Sequence, residues 1–148
     1  MQLIVTFNNR EILPEINELV AIMWKKDVNF SKVGNAASFK KCTSFTLSWD
    51  KWLDDKRWLG HNKFKEYIYF TFLDKEKNFK GIEVEVADDA ILVDKRAFLK
   101  AAIYIAEKAD GKISNDGIAW MTPEEFSEMN NETLKYSFEE AAEASLSS

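Results

Sequence analysis

The period of the apolar pattern changes repeatedly along this chain, and each change marks a predicted element. Residues 2–7 alternate apolar and β-branched types and predict a first strand, closed by the turn pair Asn8-Asn9. From Pro14, suited to a first helical position, Ile16, Leu19, Val20, Met23 and Trp24 recur at helical spacing, and Lys25-Lys26 complement a helix C-terminus. An amphipathic helix over 14–26 packed on a sheet is therefore expected. Residues 28–40 are polar and irregular, with Gly34-Asn35 as a turn, and Lys41 to Leu47 predicts a second strand. Ser48 then reads as the cap of a short helix carrying Trp49, Trp52 and Leu53 inward, ended by Gly60-His61-Asn62.

Residues 66–73 place aromatic or aliphatic side chains on both faces, the pattern of a central strand covered on both sides. The stretch Ile82 to Val86 alternates strictly, with Ile82, Val84 and Val86 on one face and Glu83 and Glu85 on the other. A hairpin joining these two strands is the simplest topology. Asp94 reads as the cap of the longest helix, 95–109, which is apolar around much of its circumference and is stopped by Gly111 in a left-handed conformation.

Asp110 to Phe126 looks at first like a calcium loop, and the register rules that out. With Gly111 as the sixth residue of such a loop, the first, third and twelfth ligand positions fall on Ala106, Lys108 and Gly117; with Gly117 sixth, they fall on Lys112, Ser114 and Pro123. The segment reads instead as Asn115-Asp116-Gly117 hairpin chemistry between Lys112–Ser114 and Ile118–Trp120, followed by a Thr122–Glu125 capping box. A second capping box, Ser137–Glu140, opens a C-terminal helix. Together these elements predict an α+β fold: an antiparallel sheet of about four to five strands packed against two main helices, with a small hairpin and a helical C-terminal tail, in a single domain over 1–148.

Composition narrows the class. Hydrophobic residues make up 46% and aromatics 14% of 148 residues, with two prolines and five glycines, which excludes a disordered chain. One cysteine cannot close an intramolecular disulfide, the N-terminus lacks a basic and apolar leader, and no apolar run reaches membrane-spanning length, so a soluble cytoplasmic protein is expected. The formal net charge of −5 is unevenly spread: residues 1–80 carry a net of +4 and residues 81–148 a net of −9. Such asymmetry can mark an interaction face, although segments that interleave in space cancel locally.

Candidate chemistry is sparse. His61 is the single histidine and sits in a turn, and Cys42 lies in a predicted strand as a small core thiol, so no nucleophile–base pair forms in the sequence. Zinc requires three or four Cys or His ligands and the chain has two such residues, which excludes a structural zinc; carboxylates at Asp54-Asp55 and Asp88-Asp89 are nonspecific. No phosphate-cradling glycine motif occurs, so no cofactor is expected. Lysines interleaved with Phe30, Phe39 and tryptophans could track a single nucleic-acid strand, but a pI near 5.0 argues against it. Glu83 and Glu85 lie about 6–7 Å apart on one strand face, a separation glycosidases use, but such alternation is the ordinary pattern of a solvated strand face, and a domain this small seldom builds the deep cleft a sugar hydrolase needs.

What remains is the profile of a non-enzymatic protein that binds another protein. The expected function is a bacterial immunity protein that neutralises a basic toxin or nuclease domain by occluding its active site. The candidate contacts are Glu83, Glu85, Asp88, Asp89, Glu124 and Glu125, with Trp58 and Trp120 as half-exposed anchors. Two alternatives stand beside it: a small-molecule-binding domain or small enzyme with a pocket of Tyr67, Tyr69 and tryptophans, and a phage or structural accessory protein that self-assembles.

Overall fold

A computed structural model describes residues 1–34, 43–74 and 79–148. The expected start of the second strand at Lys41, and Cys42 with it, lie outside the described residues. The described residues form an α+β fold around one antiparallel sheet of six strands. In chain order the elements are β1 (Gln2–Thr6), α1 (Ile16–Met23), β2 (Phe30–Val33), β3 (Ser44–Trp49), α2 (Lys51–Asp54), β4 (Ile68–Phe72), β5 (Gly81–Glu85), α3 (Leu92–Ala109), β6 (Ile113–Ser114), α4 (Pro123–Met129), α5 (Asn131–Leu134) and α6 (Phe138–Leu146). The strand order is β2-β3-β4-β5-β1-β6, with every neighbouring pair antiparallel.

The period-two pattern explains why only one face is covered. Leu3, Val5, Phe45, Leu47, Ile68, Phe70, Ile82 and Val84 all point to one side and are buried against α1 and α3. Phe45 stacks on Phe70 across the β3–β4 ladder at 4.7 Å and 7°, and such aromatic pairs strengthen a sheet beyond the area they bury. The small residues Ala97, Ala101, Ala102 and Ala106 let α3 approach closely, and all four are fully buried. α4, α5 and α6 pack mainly onto α3, with Phe138 of α6 also reaching Trp49 of β3 at 4.9 Å, and complete a helical layer.

Several expectations need correction. β2 forms within a stretch read as irregular: its side chains are half-exposed or exposed, so an edge strand leaves little hydrophobic signal. β4 is central but covered on one side only, because Tyr67 and Tyr69 carry hydroxyls that suit water, and they are 37% and 45% exposed. Ser48 lies inside β3 and Asp50 stands at the N-cap of α2. The pair to Lys112–Ser114 is reduced to one bridge, Ile113 to Met121: the Asp116 carboxylate accepts from the backbone N–H groups of Ile118 and Ala119, holding that stretch in a loop. At the end of α3 the left-handed residue is Asp110 (φ 52°), not Gly111. Gly111 serves another purpose, since a Cβ there would lie 1.8 Å from the Thr6 carbonyl oxygen. Both capping boxes form as expected, Thr122 with Glu125 and Ser137 with Glu140.

Asp94 is not a cap. α3 begins at Leu92, and Asp94 in its first turn is fully buried, accepting from Lys51 Nζ at 2.7 Å and from Trp24 Nε1 at 3.2 Å. Lys51 is equally buried and lies 5.4 Å from the Trp58 ring and 5.7 Å from the Trp49 ring. This ion pair ties α2 to α3 through the core. Burial pushes the Asp94 carboxyl up, and Lys51 and Trp24 pull against that shift.

Candidate functional site

The strand registers arrange the uncovered sheet face into transverse rows. One row runs Val33, Thr46, Tyr69, Glu85, Gln2, and the next runs Ser44, Thr71, Glu83, Ile4, Ser114. Both rows are built from hydroxyl, aliphatic, amide and aromatic residues around a single carboxylate each. No cation stands in either row, and among the described residues neither Glu83 nor Glu85 has an ion-pair partner. Two carboxylates spaced by one strand repeat, ~6–7 Å, repel by roughly 1–3 kcal/mol at dielectrics between water and a protein surface. A cationic partner relieves that repulsion.

Aromatic groups flank this central acidic pair. At one end Tyr67 and Tyr69 have ring centroids 6.4 Å apart, and Trp52 and the exposed Phe64 pack edge to face at 5.4 Å nearby. At the other end Phe79 lies over Gly81, where a Cβ would come within 2.5 Å of the Phe79 ring, so only glycine lets that ring settle on the sheet. Phe79 is 37% exposed and meets the half-buried Trp120 at 6.1 Å. A recess of about 360 Å³ opens at the tyrosine end, and Lys65, Glu66, Tyr67, Tyr69, Glu85 and Asp88 are among its walls.

The other sequence-predicted contacts divide sharply. Asp88 borders the recess and accepts from the Met1 amine, and Asp89 is paired with Lys63 Nζ at 3.0 Å, which holds its carboxyl below the usual range. Trp120 is half-buried and lies beside the open face through its contact with Phe79. Trp58 does not: it is wholly buried, edge to face with Trp49 at 5.8 Å and with His61 at 5.0 Å, which corrects its reading as a half-exposed anchor. Its turn position misled because α2 and the following 3-10 turn fold back over the core. Glu124 and Glu125 lie in the first turn of α4 on the helical layer, not in the strand rows that carry Glu83 and Glu85. The Glu125 carboxylate accepts from the Thr122 backbone N–H, and that bond holds its carboxyl low.

His61 has structural work, accepting from the Lys63 N–H at Nδ1 and meeting the Ser145 carbonyl at Nε2. Among the described residues no three His, Cys, Asp or Glu groups converge on a metal position, and no helix is long and apolar enough to cross a membrane. Glu66 is buried with one oxygen unbonded, and desolvation raises its pKa despite Lys63 at 3.5 Å. No family model matches the chain, and no curated protein or solved structure matches it either.

Proposed function

We propose that this chain is a protein-binding inhibitor, an immunity protein that occludes a basic toxin or nuclease domain with its open sheet face. The observation that carries this reading is the Glu83–Glu85 couple at the centre of the open face, which has no ion-pair partner among the described residues and stands in two strand rows that hold no other charged group. Uncompensated carboxylates on a rigid sheet raise the encounter rate with a basic surface and lose repulsion on docking. The partly exposed aromatic groups at both ends are suited to the desolvated contacts that dominate binding energy. On the helical layer Glu18, Glu125, Glu140 and Glu143 are by contrast engaged within the molecule.

The test is protection in a growing host. Co-expression with a toxic basic protein encoded beside its gene should restore growth, and Glu83→Lys with Glu85→Lys should lower protection while the variant stays folded. Equal protection by the double reversal, or no toxic neighbour at all, overturns the proposal. The small-molecule alternative has one supporting observation, the recess beside Tyr67 and Tyr69. A metabolite that raises the melting temperature, as mass action requires, would favour it.

A further inference from the structure

We infer that the recess at the tyrosine end of the open face receives one arginine side chain of the partner protein. This rests on the reading of that face as a protein-binding surface, and names what the face grips. Tyr69 and Glu85 stand directly opposite each other on the β4–β5 ladder, which places their Cβ atoms about 5 Å apart. Tyr67 lies on the same face one strand repeat away, with the two rings tilted by 42°. A guanidinium is planar: it lies flat on a tyrosine ring while its N–H fork meets a carboxylate edge. Tyr69 beside Glu85 offers those two surfaces at adjacent positions.

The cations already present do not fill this role. Lys65 Nζ lies 3.4 Å from Asp50 Oδ1 and 3.5 Å from Ser31 Oγ, so its charge is already engaged by the Asp50 carboxylate. It also rests 5.5 Å from the Tyr67 ring and 5.5 Å from the Trp52 ring, so this aromatic wall already solvates a cation. The Met1 amine is engaged by Asp88 and by the Val86 carbonyl. Glu66 is turned to Lys63. Glu85 is therefore the carboxylate of the recess that lacks a counter-ion among the described residues, and one guanidinium neutralises it without breaking the Lys65–Asp50 pair.

The experiment needs no toxin. Uniformly ¹⁵N-labelled protein is titrated with the capped tripeptide acetyl-glycyl-arginyl-glycinamide and with its lysine and citrulline counterparts. The arginine peptide should give saturable shifts confined to amides around 65–69 and 85–88, and should bind tighter than the lysine peptide. Citrulline, isosteric and uncharged, should not saturate. Glu85→Gln should weaken arginine binding by roughly fivefold or more, as loss of a charge-assisted fork implies. Tyr69→Ala should weaken it as well, whereas Tyr69→Phe should retain it. Equal binding of lysine or citrulline, an unchanged Glu85→Gln variant, or shifts scattered over the surface would overturn the inference. Protection that depends on Glu83 and Glu85 without arginine selectivity overturns this inference alone. Arginine selectivity without protection in the host overturns the inhibitor reading and leaves the arginine site standing.

Discussion

The open sheet face and the helical layer both carry carboxylates, and four of the helical layer's, with one in the core, are employed in the opposite way to the two at the centre of the sheet. On the helical layer Glu125 and Glu140 close capping boxes, Glu143 pairs with Arg57, Glu18 with Lys108, and Asp94 is locked to Lys51 in the core. On the sheet face Glu83 and Glu85 have no such partner among the described residues. Charge satisfied inside the molecule supports folding, and charge left unsatisfied on a rigid surface is available to something outside it. Net charge cannot make this distinction, since it counts both kinds alike.

That contrast can be broken most severely at the buried pair. Lys51→Ala leaves the Asp94 carboxylate buried without its cation and should cost about 3–5 kcal/mol, read from the denaturation midpoint. The double variant Lys51→Met with Asp94→Asn, which keeps an acceptor for Trp24 Nε1, should recover most of that loss. A Lys51→Ala protein as stable as the parent would show that the pair contributes nothing.

Next in size are the caps of the helical layer. Thr122→Ala and Ser137→Ala each remove a side-chain acceptor from an N-terminal helical N–H and should cost about 1 kcal/mol apiece. The two sites share no hydrogen bond, so their costs should add. Acid sharpens the same point. Backbone hydrogen bonds from Thr122 and Ser137 lower the Glu125 and Glu140 carboxyls, and Arg57 lowers Glu143, relative to an ordinary 4.5. A depressed folded value means that this stabilisation is complete above the unfolded value and is lost as pH falls through the folded one. Helical-layer stability should therefore decline below about pH 4.5, and Glu125→Gln with Glu140→Gln should flatten that decline in an acid titration followed by circular dichroism. Asp94 and Glu66, raised by burial, act with the opposite sign and soften the loss.

The smallest effect is expected on the sheet face. Glu83→Gln with Glu85→Gln removes two repelling charges that have no ion-pair partner among the described residues, so stability should stay within about 0.5 kcal/mol of the parent or rise. A clear destabilisation would mean that these carboxylates, too, have a folding role.

Much of this division was written in the chain. Thr122-Pro123-Glu124-Glu125 and Ser137 to Glu140 are local motifs whose capping geometry needs no tertiary information, and both formed as read. Strict alternation from Ile82 to Val86 put Glu83 and Glu85 on one face correctly. The parallel signal in β4, hydroxyl-bearing Tyr67, Tyr69 and Thr71 against apolar Ile68, Phe70 and Phe72, was equally legible, but it was read as coverage on both sides because tyrosine counts as aromatic before it counts as polar. The Lys51–Asp94 pair was not legible, since its partners are joined by the packing of α2 against α3 and each residue alone resembles a surface charge. Trp58 shows the same limit: its turn suggested exposure, and only the fold-back of the chain buries it.

The most direct measurement is an amide chemical-shift footprint of the labelled protein titrated with the basic protein proposed as its partner. The account expects perturbations on β1, β4 and β5, centred on Glu83 and Glu85 and extending to Tyr67, Tyr69 and Trp120, with α4, α5 and α6 unchanged. A footprint centred on α4 to α6, with the sheet face silent, would contradict it.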